Sequence, residues 1–137
     1  MSVRYRIHRN LQIVHTVVSE TTDARELHAY SQSIRMDPEF GSDFDHVIEL
    51  AEGHSGSDEM LAAQVFSHLV PPVFHVKVAV VAPGNQQFDL ARRFQSIGEL
   101  PTEVFSLFRN LEDALAWLGL DGDLVGWGDW KNVPSPG

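Results

Sequence analysis

No cysteine occurs anywhere in this 137-residue chain. Disulfide bracing and thiol chemistry are therefore excluded, and the composition fits a reducing, cytoplasmic setting. Positive charge is scarce as well: ten Lys and Arg stand against nineteen Asp and Glu, a formal net charge of −9. Nucleic acid is a poor partner for such a surface, because phosphate backbones need a concentrated basic patch. Long apolar runs are missing, so no membrane-inserting helix is expected. The opening "MSVRYRIHRN" has positive charge but no apolar stretch behind it, so no secretory signal is expected either. The chain also lacks a P-loop, a G-x-G-x-x-G turn and a G-x-S-x-G elbow. No cofactor and no catalytic residue can be named, and the chain reads as non-enzymatic.

What is present suffices for one ordinary domain. The hydrophobic fraction is 43%, and the ten glycines bring it into the usual globular range. Strict alternation in "VRYRIH", residues 3–8, predicts a half-buried strand with Val3, Tyr5 and Ile7 on one side and Arg4, Arg6 and His8 on the other. A second strand over 11–20 follows so closely that the two must form an antiparallel hairpin. With Arg9 nearby, Arg4 and Arg6 are expected on an exposed edge strand, where charge discourages stray pairing.

Beyond the hairpin, helices and strands alternate. Ala24, Leu27, Tyr30 or Ser31, and Ile34 recur at helical spacing, with Thr22 or Asp23 as cap and Pro38 as stop. "DHVIELAE" at 45–52 and "FHVKVAVVAP" at 74–83 read as strands, the second with Lys77 at its middle. A charge there requires an open face or a side chain that reaches the rim. Helices are expected over 57–70, 84–98 and 110–120, and a last strand over 102–110. The fold class is therefore α/β, in the order β-β-α-β-α-β-α-β-α. The sheet is mixed but mostly parallel, the first strand is antiparallel, and the helices pack on the sheet. A single domain over 1–120 is followed by a Gly/Pro-rich extension, 121–137, that carries Trp127 and Trp130. So much indole area is costly in water, so Trp127 is expected to pack on the domain or on a second copy.

Three places invite a functional reading. "GHSGSDE" at 53–59 joins a predicted strand to a predicted helix. Ser57 before Asp58 and Glu59 is what a helix cap needs; the same amides could also hold a phosphate on Ser55 or Ser57, against the repulsion of those acids. Asp43, Asp45 and His46 offer oxygen and nitrogen donors, but the seven histidines show no recognised metal spacing, and no metal is expected. Phe66, Phe88 and Phe94, aromatics on predicted helices, read first as core.

Two segments, "VAVVAPGNQQFDLARRFQ" at 78–95 and "VFSLFRNLEDALAWLGL" at 104–120, together with the element order, make the chain resemble the STAS-like family of small bacterial proteins. That family shares the fold of the sporulation anti-sigma-factor antagonists. The resemblance spans roughly residues 3–120 and implies a regulatory or scaffolding module that binds another protein or a second copy of itself. It also implies a phosphoacceptor in the loop bearing His54, Ser55, Ser57 and Asp58, and, as the alternative that related folds suggest, an apolar, lipid-like ligand held between helix and sheet by residues such as Phe66, Phe88 and Phe94. His54 stands where the antagonists carry aspartate, so the match in that loop is partial.

Overall fold

The computed structural model describes residues 3–18, 24–41, 43–50, 76–97, 99–119 and 127–133. In chain order these form β1 (Val3–His8), β2 (Ile13–Val18), α1 (Ala24–Met36), β3 (Asp45–Leu50) and β4 (Val78–Val81). They continue as α2 (Asn85–Ile97), β5 (Phe105–Phe108), α3 (Leu111–Trp117) and β6 (Lys131–Asn132). The helix expected over 57–70 lies outside the described residues, as do the residues expected to cap α1.

The strands make one mixed sheet in the order β5-β4-β3-β2-β1-β6. β2 to β5 run parallel, and β1 runs antiparallel to both of its neighbours. Two expectations are corrected here. β1 is not an edge strand, because β6, which the sequence pattern did not reveal, pairs with it on the outer side. Lys77 is not mid-strand: it precedes β4, is exposed, and has its amide bonded to Asp45 Oδ1 at 2.8 Å.

Direction along the sheet decides which face each helix covers. From β2 to β3 and from β4 to β5 the chain steps one way, and α1 and α2 lie on a common first face. There Leu27, Tyr30 and Ile34 from α1 and Ala91 from α2 pack with Val3, Tyr5, Ile7, Val14, Ile48, Val78 and Val80. The return from β5 to β6 steps the other way. A crossover of the same hand must then pass over the opposite face. That is where α3 lies, with Ala114 and Leu115 buried against Ile13, Val47, Ala79 and Val81. Each fully buried Val, Ile or Leu contributes about 1.5–3 kcal/mol to holding these layers together.

Local chemistry fixes the ends of the elements. Asn110 Oδ1 accepts the amide of Asp113 at 2.8 Å, capping α3. Gly119 ends that helix with φ at 88°, a left-handed conformation that glycine adopts without strain. At the start of α2, Gln87 Oε1 accepts the Gly84 amide at 3.0 Å, half of a capping box. The outer edge of β5 is closed in part by a side chain. Gln95 Nε2 donates to Phe105 O at 2.7 Å and to Leu100 O at 3.3 Å.

Two polar groups run through the first-face layer. Tyr30 hydroxyl lies 2.7 Å from Thr16 Oγ1, and burial pushes the phenol up to about 12. His46 on β3 is buried, stacks edge-on to Phe40, and leaves its Nδ1 without a hydrogen-bond partner among the described residues. Burial lowers its imidazole to about 4. The folded protein thus holds His46 neutral, whereas the unfolded chain protonates it below about 6.5. Stability from this group is complete above that value and is lost as pH falls from about 6.5 towards 4, by on the order of 3 kcal/mol. Replacing His46 by Phe should flatten the fall in denaturation midpoint across that window; an unchanged pH slope would show that other groups govern acid unfolding.

Candidate functional site

The second face of the sheet carries a polar line that register creates. β1 and β2 place Arg6 opposite His15, and β2 and β3 place Val17 opposite Glu49, one step along from His15 on the same face. Arg6 Nε donates to His15 Nδ1 at 3.0 Å, and His15 Nε2 lies 2.9 Å from Glu49 Oε1. Arginine has only donors, so His15 Nδ1 must accept and its proton must sit on Nε2, directed at the carboxylate. His15 is 2% exposed. Burial holds its imidazole below the usual value despite the hydrogen bond to Glu49, while that same bond holds Glu49 below the usual carboxylate range.

The C-terminal segment closes over this line. Trp127 bridges to His8 in antiparallel fashion, and the Gly128 amide donates to Ile7 O at 2.9 Å. The Arg6 guanidinium lies 4.6 Å from the ring centroids of both Trp127 and Trp130, and Arg4 lies 4.4 Å from Trp130. His15 itself touches both indoles, at 5.8 and 5.1 Å between centroids. Cation–π contacts of this kind contribute roughly 0.5–2 kcal/mol each, more where water is excluded. They offset the cost of Trp127 Nε1, which is buried without a hydrogen-bond partner among the described residues.

A second anchor holds the same segment from the other face. Lys131 Nζ lies 2.6 Å from Asp37 Oδ2 and 3.1 Å from Glu39 Oε1. Tyr5 hydroxyl donates to the same Asp37 oxygen at 2.8 Å. Burial works against the Asp37 charge, yet Lys131, the Glu39 amide and Tyr5 outweigh it and hold the carboxyl below its usual range. Val133 is buried in the first-face core, its amide bonded to Val3 O at 3.2 Å.

Arginine, histidine and glutamate in a row resemble a proton relay in composition. A general base needs a lone pair aimed at the substrate proton. Here the only free lone pair of His15 is aimed at Arg6. The line therefore braces the sheet and seats the two indoles. It was hidden in the sequence because Arg4 and Arg6 alternate on one strand, His15 on a second and Glu49 on a third. Only the register joins them. Two arginines at one end and two tryptophans at the other were the sole hint.

The residues singled out from the sequence fall elsewhere. His54, Ser55, Ser57, Asp58 and Phe66 lie outside the described residues. Phe88 and Phe94 occupy different turns of α2. Phe94 packs near Phe105, 6.1 Å between centroids, and Phe88 lies beneath the guanidiniums of Arg92 and Arg109. Asp45 and His46 point to opposite faces of β3, and among the described residues no group of three or more His, Asp or Glu is placed to hold a metal ion. Comparison with protein-family models, with curated proteins and with solved structures finds no match. No helix among the described residues is long and apolar enough to cross a membrane.

Trp127 packs its ring on Arg6, His8 and His15. Trp127→Ala should cost about 2–4 kcal/mol in urea denaturation. A loss under about 0.5 kcal/mol, within the range of ordinary surface changes, would mean that the indole is not an anchor.

Proposed function

We propose that this protein is a non-enzymatic, STAS-like module that binds another protein in a regulatory or scaffolding role. The observation that supports this most is the placement of its exposed apolar side chains. Leu11, 48% exposed, sits in the turn between β1 and β2, and Met36, 82% exposed, ends α1. Both belong to the end of the sheet where the parallel strands begin. There Gln12 O accepts the Asp45 amide at 2.9 Å, and Arg9 approaches Glu39 at 4.0 Å. Among the described residues they are the large hydrophobic side chains left exposed. Single exposed hydrophobics are commonplace, but two at one end of the sheet, where the charged residues Arg9, Glu39 and Asp43 also lie, have the composition of a small interface: apolar side chains with charged neighbours. The Arg6–His15–Glu49 line fits the same reading, because both ring nitrogens of His15 are engaged within it.

Ser55 or Ser57 as a phosphoacceptor belongs to this proposal through the sequence resemblance alone. A photo-crosslinking amino acid placed at position 36 of the full chain, in the cells that make it, tests the interface. It should give a discrete adduct with one protein, and the same probe at exposed Glu103 should not. Equal labelling from both positions, or none from position 36, would remove the support for this surface. An adduct of two identical chains would make the partner a second copy.

A further inference from the structure

Adjacent strands β4 and β5 send the chain to opposite faces of the sheet. β4 leads into α2 on the first face, and β5 leads into α3 on the second. Where outgoing connections diverge in this way, a crevice opens beyond the carboxyl ends of the strands, and open α/β sheets take their ligands there. In this protein the crevice is bounded by Gly84 and Asn85 after β4 and by Arg109 and Asn110 after β5.

Two arginines stand at this point, in a chain whose net charge is −9, and the Asp113 carboxylate beside them is engaged by Asn110 Nδ2 at 3.1 Å. Arg109 Nη1 donates to Asn85 Oδ1 at 2.9 Å, a bond that joins the two loops. The Arg109 guanidinium lies 4.0 Å from the Phe88 ring centroid, and that of Arg92 lies 5.2 Å from the same centroid. Among the described residues, neither guanidinium has a carboxylate within ion-pairing distance. Both are exposed residues. Arg109 is thus held by an amide oxygen and an aromatic ring while most of its five donors stay available. A guanidinium held in place loses less freedom on binding, and its planar fork matches the oxygens of a phosphate. Two such cations suit a dianion better than a single carboxylate. α2 begins in the same crevice and adds a positive partial charge. The Gly84 amide is engaged by Gln87, so the guanidiniums are the main donors.

We infer that the crevice between the β4 and β5 loops binds a phosphomonoester group. Arg109 and Arg92 are its cationic ligands, and Asn85 is the residue that positions Arg109. The group can be carried by a free small molecule or by a phosphorylated side chain of another protein; the site reads the phosphate in either case. It stands whether or not Leu11 and Met36 form an interface.

The test is an amide chemical-shift titration of the isotope-labelled full chain with inorganic phosphate, against sodium chloride at matched ionic strength. Saturable shifts are expected at Gly84, Asn85, Arg109 and Asn110, with phosphate and not with chloride. Arg109→Gln should weaken binding about tenfold or more, and Arg109→Lys should not restore it, since an ammonium lacks the fork. Arg92→Gln gives a second variant should Arg109→Gln lower the denaturation midpoint. Asn85→Ala should weaken binding less than Arg109→Gln and leave the protein folded. Glycerol phosphate and a phosphoserine peptide, each titrated in turn, separate the two sources: the tighter ligand names the carrier, and equal affinity assigns recognition to the phosphate alone. Shifts that fail to saturate, that chloride reproduces, or that survive both arginine substitutions unchanged would overturn the inference.

Discussion

The donor on Arg6 and the lone pair on His15 decide how the second face of this sheet is built. Arginine can only give hydrogen bonds, so the imidazole is forced into one tautomer and its remaining proton meets Glu49. Three adjacent strands are thereby tied at one level by side chains as well as by their ladders. The same guanidinium then presents a flat cationic surface to two indoles. If Arg6 were lost, the imidazole would keep one partner, both tryptophans would lose a face, and β6 would be held mainly by Lys131 and Val133. A group that belongs by sequence to the first strand therefore governs the packing of the last one.

The handedness of the crossovers explains why this division of labour exists. The described helices that step forward, α1 and α2, share one face, and the return from β5 to β6 takes the other. The first face is an apolar layer interrupted by the Tyr30–Thr16 hydroxyl pair and by His46. The second is shared between α3, which covers the apolar half, and a tryptophan-bearing strap, which covers the charged half. The return also parts the chain at the ends of β4 and β5. One topological fact thus yields both the strap and the crevice.

Much of this fold was legible in the sequence, for physical reasons that can be named. Alternation in Val3–His8 and the short link to the next strand predict the hairpin, because side chains on a strand change sides at every residue. Leu27, Tyr30 and Ile34 mark α1 by helical spacing, and Asn110 marks the start of α3 by the chemistry of its side chain. β6 was not legible. Its two residues, Lys131 and Asn132, have no strand periodicity and pair only because the segment before them is pinned by its indoles. Without a signal for β6, the arginines of β1 read as those of an edge strand. The apolar run around Lys77 looks continuous in sequence, although pairing begins only at Val78. The Arg6–His15–Glu49 line was out of reach in principle, since residues on three strands become neighbours only through register. The loop at 53–59 lies outside the described residues.

The meeting of Val3 with Val133 has a consequence for how the protein is made. Synthesis runs from β1 towards β6, so β1 emerges well before the strand that becomes its outer neighbour. Until then β1 is an open edge, Arg4 and Arg6 have no indoles to rest on, and Val3 lacks its lid. Contacts between such distant parts of a chain close a very long loop and tend to form late. The ribosome-bound chain should therefore pass through a five-stranded form with one face half bare. Cells would have to protect that form from association until the strap arrives.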